Sequence, residues 1–512
     1  MRSLAPELQL EIIGELDECD IAQLEQVCKD LYDLIEGNPD AWKGCLRRKC
    51  EHEGMIWSSF SNLSTAAGFK AACTGPKRFK RKCDQDQINP VKVTTPFSTV
   101  NADVPGNASG NERAASDEPN PWTDLRDIYL VPGGRFLITI EGSWMKVWDL
   151  ILRGEDGSPT LLRRHSLAFK KYLRLICVEV VNTSTLHLLL CEDFPDTSAG
   201  WNMAQNRSRS VLEVFEFKFS VSVEEAFLVR KLAELGVRHN GWYSPLVTQL
   251  RGLVALKTDR DTLVWDYNQG GYYVWRALDE DGGICTTSRI LILEGYVIYL
   301  DYQWGFHGAR ILDHTFHPLG NAREIDILTQ HGIENRAHSL SIRYARVPKS
   351  LTKWHVTQYA NDQDTIVYEQ QEEELVFNTT FFHRFSFQID SDNPQESEFI
   401  PEGRYSYKPS VKYAAPHPFN RFPSGQETAG VVWFAWDDGM TISVHPSLTE
   451  RCPSPEKTIT RARLLPKRRM TDTAHRIAVS PVSGKIAILW RRTTCPEIEI
   501  EDTFLEILDI FP

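Results

Sequence analysis

The sequence predicts a multidomain α+β protein, in which a small all-α module precedes a large all-β body. Apolar residues recur at helical spacing over the first forty residues, and from Trp122 onward they recur in short runs separated by turns. At 512 residues the chain is also too long for one compact core. We therefore expect four segments: a first group of helices over 1–48, further helices over 49–83, a flexible linker over 84–121 and the β body over 122–512.

The composition is that of an ordinary globular protein, with 42% hydrophobic and 25% charged residues. No stretch reaches the roughly 18 consecutive apolar residues that a membrane span requires. The 11 cysteines are scattered and indicate no disulfide framework. We therefore expect a protein of the cytoplasm, the nucleus or both, with no membrane partner.

The net charge of −12 is unevenly distributed. Residues 1–40 hold eleven Asp and Glu against two cations, whereas residues 41–83 hold ten Lys and Arg against two acids. The remainder of the chain is acidic. Because binding to phosphates needs a basic face, nucleic acid is not expected to be the main partner.

The first predicted helix begins at Pro6, whose missing N–H costs nothing in a first turn. Leu8, Ile12 and Leu16 follow as one apolar stripe. A second helix is predicted from an N-cap at Asp20 to the break at residues 37–39, because apolar residues continue at helical spacing from 21 to 35.

These residues carry a resemblance to the F-box family over about forty positions. The residues at the family's adaptor-binding positions are Leu4, Pro6, Leu8, Ile12, Leu16, Leu24, Val27, Cys28, Leu31 and Trp42. The resemblance implies that they contact a Skp-type adaptor, which in turn binds a cullin scaffold. The sequence departs from the family at Ala5, often Pro, and at Leu31, often Trp. The alternative is a helical hairpin that packs only on its own domain.

Two segments follow the module. The run from Pro76 to Lys82 is the densest basic cluster, and it fits either a nuclear localisation signal or a solvated domain boundary that pairs with acidic patches. Residues 84–121 are rich in Asn, Pro, Gly, Ser and Thr and contain few apolar residues, which predicts a linker.

The β body repeats one unit, which is an apolar strand, a turn, a second strand and a strand that ends in an aromatic or aliphatic residue and Asp. The clearest copy spans 127–150 and ends in Trp148-Asp149, and others end at Asp266, Asp301 and Asp509. Weaker copies lie at 186–217 and 430–444, and the region 337–390 is unclear.

Such repetition indicates a β-propeller of about seven blades, and the Trp-Asp endings resemble degenerate WD repeats. The Gly-His pair expected in each repeat is missing. A pair of β-sandwiches or a solenoid would also give short strands and repetition. Each strand-ending Trp is expected to pack between sheets.

The resemblance and the repeats together predict a substrate-receptor subunit of an SCF-type cullin ubiquitin ligase, which itself is not an enzyme. The target protein is expected to bind at loops, for which 193–210 and 303–335 are the candidates because they carry Trp201, Trp304 and Phe306. The alternatives are a scaffold outside any ligase and a propeller hydrolase with an unrelated helical hairpin.

Signals for catalysis or metal binding are weak. His314 and His317 lie near three other histidines, but no cysteine or carboxylate completes a zinc-ligand spacing. No phosphate-loop, nucleophile-elbow or zinc-protease motif occurs. The sequence therefore predicts no catalytic residue, no metal and no cofactor.

Overall fold

In the computed structural model the protein is described at residues 4–83, 91–92, 125–153, 159–167, 173–195, 207–220, 228–240, 245–258, 261–276, 287–293, 296–301, 305–310, 316–320, 322–327, 339–340, 357–360, 365–374, 379–388, 398–407, 431–436, 439–444, 460–465, 472–495 and 500–511. Most of the predicted linker 84–121 lies outside these residues.

Residues 4–83 are helical. The elements are α1 (Pro6–Gly14), α2 (Glu18–Val27), α3 (Lys29–Glu36), α4 (Asp40–Glu53), the 3₁₀-helix Trp57–Phe60, α5 (Ala66–Cys73) and α6 (Gly75–Cys83). Pro6 begins α1, as predicted, because its fixed φ suits a first turn. We refer to residues 4–83 as the helical module.

The predicted second helix is wrong in two details. Its N-cap is Asp17, whose Oδ1 accepts the backbone N–H groups of Cys19 and Asp20 at 2.8 Å each, so Asp20 already lies in the first turn. The helix also ends at Val27, because Cys28 adopts an extended backbone with φ −159° and ψ 161°. Helix α3 then begins at Lys29, so the apolar periodicity runs across two helices.

The remainder is built from β-strands. The first nine are β1 (Val91–Lys92), β2 (Leu125–Leu130), β3 (Phe136–Glu141), β4 (Trp144–Arg153), β5 (Pro159–Ser166), β6 (Leu173–Asn182), β7 (Thr185–Pro195), β8 (Arg207–Lys218) and β9 (Leu228–Asn240). The next ten are β10 (Leu246–Leu250), β11 (Leu253–Lys257), β12 (Asp261–Asp266), β13 (Gly271–Arg276), β14 (Thr287–Leu293), β15 (Tyr296–Asp301), β16 (Gly305–Arg310), β17 (His317–Pro318), β18 (Glu324–Asp326) and β19 (Ser339–Leu340). The last ten are β20 (Thr357–Ala360), β21 (Thr365–Glu374), β22 (Thr379–Gln388), β23 (Glu398–Tyr407), β24 (Val431–Trp436), β25 (Gly439–Val444), β26 (Thr460–Leu465), β27 (Asp472–Ser480), β28 (Lys485–Cys495) and β29 (Ile500–Asp509).

In the described residues these strands form seven sheets, which are mostly antiparallel. In chain order they are the first sheet (β2–β5), the second (β6–β9 with β18), the third (β10–β13 with β17), the fourth (β14–β16 with β19), the fifth (β20–β23), the sixth (β24–β26) and the seventh (β27–β29 with β1). The predicted hairpins of the β body are confirmed, and the region left unclear at 337–390 holds most of the fifth sheet.

The first strands of successive sheets lie against one another. Strand β27 contacts β2 and β24, β2 contacts β6, β6 contacts β10, and β10 contacts β14. The carboxylate of Asp127 links β2 to β27 and β6. It accepts a hydrogen bond from Arg476 Nε on β27 at 2.7 Å and another from the backbone N–H of Leu175 on β6 at 3.1 Å. The sixth, seventh, first, second, third and fourth sheets therefore lie side by side in that order, each in contact with the next through its first strand.

Apolar side chains fill the space between these sheets. The strand-ending tryptophans take part as predicted, because Trp148 packs between the first and seventh sheets and Trp265 between the second and third. Strand β3 is buried along its whole length, which a strand covered on both faces requires.

The long loop predicted at 303–335 is wrong, since β16, β17 and β18 lie within it. The loop predicted at 193–210 is shorter than expected, because β7 continues to Pro195 and β8 begins at Arg207. Strand β1 also pairs with β29, so Val91 and Lys92 of the predicted linker extend the seventh sheet.

Candidate functional site

Helix α1 has two apolar faces. Ile13 and Gly14 face the interior of the helical module, where Gly44 of α4 approaches so closely that a Cβ on it would lie 3.3 Å from the carbonyl oxygen of Gly14. Leu8 and Ile12, one turn apart, point outward and are 49% and 42% exposed. Helix α1 packs mainly on α4 and also contacts α3, and the side of the helix that carries Leu8 and Ile12 stays in solvent.

Helices α2 and α3 also carry exposed apolar side chains. Val27, at the end of α2, is 67% exposed, and Tyr32 on α3 is also exposed. Leu4, just before α1, is exposed as well. We call the surface of these five side chains the exposed apolar face; its members are Leu4, Leu8, Ile12, Val27 and Tyr32.

The other predicted adaptor-binding residues lie elsewhere. Leu16, Leu24 and Leu31 are half-buried and pack against the core of the module. Pro6 is exposed and Cys28 is half-buried. Tyr32 is a member that the sequence did not predict.

Trp42 lies in the interior of the module, with no exposed surface. Its Nε1 donates to Glu25 Oε1 at 3.1 Å, and Glu25 also pairs with Lys70 of α5. The indole therefore joins α2, α4 and α5. A direct contact of Trp42 with another protein would require the module to open.

The acidic and basic halves of the module pair with each other. Lys49 Nζ lies 3.4 Å from a Glu18 oxygen and 3.5 Å from a Glu53 oxygen, and Lys77 Nζ lies 3.1 Å from Glu18. Burial raises the pKa of Glu18, but the ammonium groups of Lys49 and Lys77 outweigh it, so this pKa lies below its ordinary value. One cation of the basic run thus pairs with an acidic residue of α2.

The helical module also hydrogen-bonds the β body through the segment that contains the 3₁₀-helix. The backbone N–H of Trp57 donates to the carbonyl oxygen of Thr183 at 2.7 Å. Ser58 Oγ donates to the carbonyl oxygen of Phe219 at 3.1 Å, and Ser59 Oγ donates to that of Pro132 at 3.0 Å. All three acceptors lie in turns or strand ends of the first and second sheets.

Arg135 strengthens this joint. Its guanidinium is buried, with Nη2 2.7 Å from Asp149 Oδ2, and its Nη1 donates to the carbonyl oxygen of Ser58 at 3.2 Å. Asp149 is the strand-ending aspartate that the repeat pattern singled out. Asp149 therefore holds the guanidinium of Arg135, which in turn hydrogen-bonds Ser58 of the helical module. The sequence did not predict this role.

The predicted target-binding residues fall mainly outside the described residues, where both Trp201 and Trp304 lie. Phe306 is in β16, where it pairs with Leu300 of β15, and so it does not lie in a loop.

The described residues contain few features of an active site. Within the described ranges, no three or more His, Cys, Asp or Glu side chains lie together in a way that could hold a metal ion. Of the histidines considered as ligands, His317 packs beside the ring of Tyr272. Among the same residues, no helix combines the length and hydropathy of a membrane span.

No family model matches the chain, and no curated protein matches it. Among solved structures it is similar to the WD40 domain of SCAP from fission yeast, with 10% identity, a TM-score of 0.30, and coverage of 76% of this chain and 75% of that chain. It is also similar to the complex of the fission yeast SREBP–SCAP binding domains, with 11% identity, a TM-score of 0.29, and coverage of 54% and 63%.

Proposed function

We propose that this protein is a substrate-receptor subunit of an SCF-type cullin ubiquitin ligase. Residues 1–48, which contain α1 to α3 and the first part of α4, are an F-box that binds a Skp-type adaptor, and the β body binds the protein to be ubiquitinated. The subunit contributes recognition and no catalysis.

The observation that carries this proposal is the exposed apolar face. Each of its large side chains stabilises a complex by about 1.5–3 kcal/mol when it is fully buried. Large apolar side chains that stay exposed on a soluble protein are candidates for interaction sites. Leu4, Leu8, Ile12 and Val27 are also residues at which the sequence resembles an F-box, so exposure and resemblance point to the same side chains.

We further propose that the β body is a seven-bladed, WD-repeat-like propeller. The contacts between first strands support this, because radially arranged blades meet through their innermost strands. The fifth sheet would complete the ring between the fourth and the sixth. Loops at one mouth, with Trp201 and Trp304 among them, would then hold the target.

The cysteines support a reducing compartment, which we take to be the cytoplasm or the nucleus. Seven cysteines of the described residues are free thiols, and five of them are buried. Proteins of oxidising compartments more often pair such residues in disulfides.

The test is a titration of the full-length protein with a purified Skp-type adaptor. Leu8→Ala together with Ile12→Ala should weaken binding by at least about a hundredfold, because two side chains that the complex would bury are truncated. The matched control is Val181→Ala with Leu228→Ala, since these residues of the β body are each 47% exposed. The control should leave affinity within about twofold.

Unchanged affinity in the helical variant, or an equal loss in the control, would contradict the adaptor assignment. A pull-down then separates the two classes of function. Recovery of cullin together with adaptor supports the receptor, whereas recovery of adaptor alone indicates a scaffold.

A further inference from the structure

The basic run from Pro76 to Lys82 is folded into helix α6, which packs on the rest of the molecule. Helix α6 spans Gly75–Cys83 and contacts α5, β25 and β26. Phe79, in the middle of the run, has no exposed surface. The run is therefore an amphipathic helix with a buried anchor, and it is not an exposed linear segment.

The seventh sheet holds α6 at two points. Gly75 lies directly on the turn between β27 and β28, because a Cβ on it would lie 2.2 Å from the carbonyl oxygen of Val482. The guanidinium of Arg78 lies 4.3 Å from the centre of the ring of Phe511, a residue that follows β29. Helix α6 is thus held by the last part of the chain, which is distant from it in sequence.

Several cations of the run also have neighbours inside the molecule. Lys77 Nζ lies 3.1 Å from a carboxylate oxygen of Glu18 on α2. Lys80 is half-buried, whereas Arg81 and Lys82 are exposed. Of the five cations in the run, two therefore contact a neighbouring side chain and a third is partly covered.

The helical form of the run differs from the form in which a linear signal is recognised. A short Lys/Arg run that directs nuclear import is recognised as a linear segment. In an extended segment alternate side chains lie on the same side, so an acidic groove can contact several cations at once. In α6 successive side chains are rotated by about 100° around the helix axis, and unwinding the helix would expose Phe79 to water.

We propose that the basic run is a nuclear localisation signal that the fold masks, and that an import receptor with an acidic groove binds it only when α6 detaches from the seventh sheet and from α2. Detachment of one helix is a local opening, which costs less free energy than unfolding of the whole protein. The affinity of the receptor for the native protein is then reduced by the fraction of molecules in which α6 is detached. This inference goes beyond the proposed function and does not depend on the adaptor.

The test compares the run in a free peptide with the run in the native protein. A fluorescein-labelled peptide of residues 74–84 is titrated with a purified import receptor of the class that binds short Lys/Arg signals, while anisotropy is recorded. So short a peptide forms no stable helix in water, and its run is therefore accessible. Unlabelled full-length protein then competes for the receptor, and its affinity should be at least about tenfold weaker than that of the peptide. Equal affinities, or no binding of the peptide, would overturn the proposal.

A variant without the buried anchor should expose the signal. Phe79→Ala in the full-length protein should strengthen its binding to the receptor by about tenfold or more, with the affinity of the peptide as the upper limit. The matched control is Ile35→Ala, because Ile35 is also fully buried but lies on α3. The control should leave the affinity within about twofold. An equal gain in both variants would show that general loss of structure exposes the run, and it would overturn the proposal.

A second variant tests the mask at a residue outside the helical module. Phe511→Ala removes the ring beside the Arg78 guanidinium at the end of the chain, where truncation leaves the core of the module intact. It should strengthen binding of the receptor by about two- to fivefold, since a contact of a cation with an aromatic ring is lost. Unchanged affinity in both the Phe79 and the Phe511 variants would overturn the proposal, because α6 would then not control access to the run.

Discussion

The helical module and the β body differ in which side chains they leave in solvent and which they bury. Five of the nine large hydrophobic side chains that are exposed in the described residues lie between residues 4 and 32, and the other four are distributed over the first and second sheets. The β body instead buries charge, as at Asp149, Arg135 and Asp127. The neighbours of α1 cover one of its faces, whereas stacked sheets cover both faces of an inner strand such as β3. Exposed large apolar side chains are therefore concentrated in the helical module, whereas buried charged side chains lie in the β body where separate elements meet.

The largest effect is expected where buried charge joins the two regions. Asp149→Ala leaves the Arg135 guanidinium buried without its carboxylate, which should lower the free energy of unfolding by about 3–5 kcal/mol. Urea unfolding followed by circular dichroism measures this change.

The control is Asp266→Ala. Asp266 follows Trp265 in β12, just as Asp149 follows Trp148 in β4. Asp266 accepts the backbone N–H groups of Asn268 and Gln269 at 2.9 Å each and forms a turn. Its loss should cost about 1 kcal/mol. Equal costs at the two positions would mean that Arg135 does not join the module to the body.

The two faces of α1 can be compared directly. Ile13→Ala should lower the free energy of unfolding by about 2–5 kcal/mol, because Ile13 is fully buried. Ile12→Ala, one residue earlier, should change it by less than about 0.5 kcal/mol. Thermal or urea unfolding of the two variants measures both values. A large loss of stability at Ile12 would place that side chain in the core and remove it from the exposed apolar face.

A smaller effect than at Asp149 or Ile13 is expected for the charge pairs inside the module. Glu18→Gln should cost about 1 kcal/mol at neutral pH, because the carboxylate faces Lys49 and Lys77. The pKa of Glu18 is lower in the folded protein than in the unfolded chain, so its contribution is complete above the ordinary pKa of 4.5 and disappears as pH falls through the folded pKa. The difference between the variant and the native protein should therefore shrink below this pH in unfolding experiments. A constant difference down to pH 3 would contradict the pairing.

The sequence predicted those elements whose signals are local. Pro6 begins a helix because its ring fixes φ, and the apolar runs around Trp148 and Trp265 form strands because turn residues flank them. The exposed residues Leu8, Ile12 and Val27 were predicted only through a family resemblance. Periodicity alone placed Leu8, Ile12 and Leu16 on one stripe, although Leu16 packs inward.

The remaining features depend on tertiary structure. No Gly or Pro marks the break at Cys28, and apolar spacing continues across it. Strand β16 contains two glycines and a histidine, so its pattern is weak, and pairing with β15 stabilises it instead. The joint through Arg135 unites residues 14 and 77 positions apart in the chain, which no local pattern encodes.

The ion pair between Asp127 and Arg476 sets a condition on synthesis of the chain. Its partners are 349 residues apart, and a ribosome adds about 5–20 residues each second, so Asp127 is added to the chain roughly 20–70 s before Arg476. During that interval β2 lacks the neighbour that covers it in the finished protein. Closing so long a loop also costs more entropy than forming any hairpin of the first sheet. The hairpins can therefore form early on the ribosome, whereas the contact between the first and seventh sheets forms only after Arg476 has been synthesised.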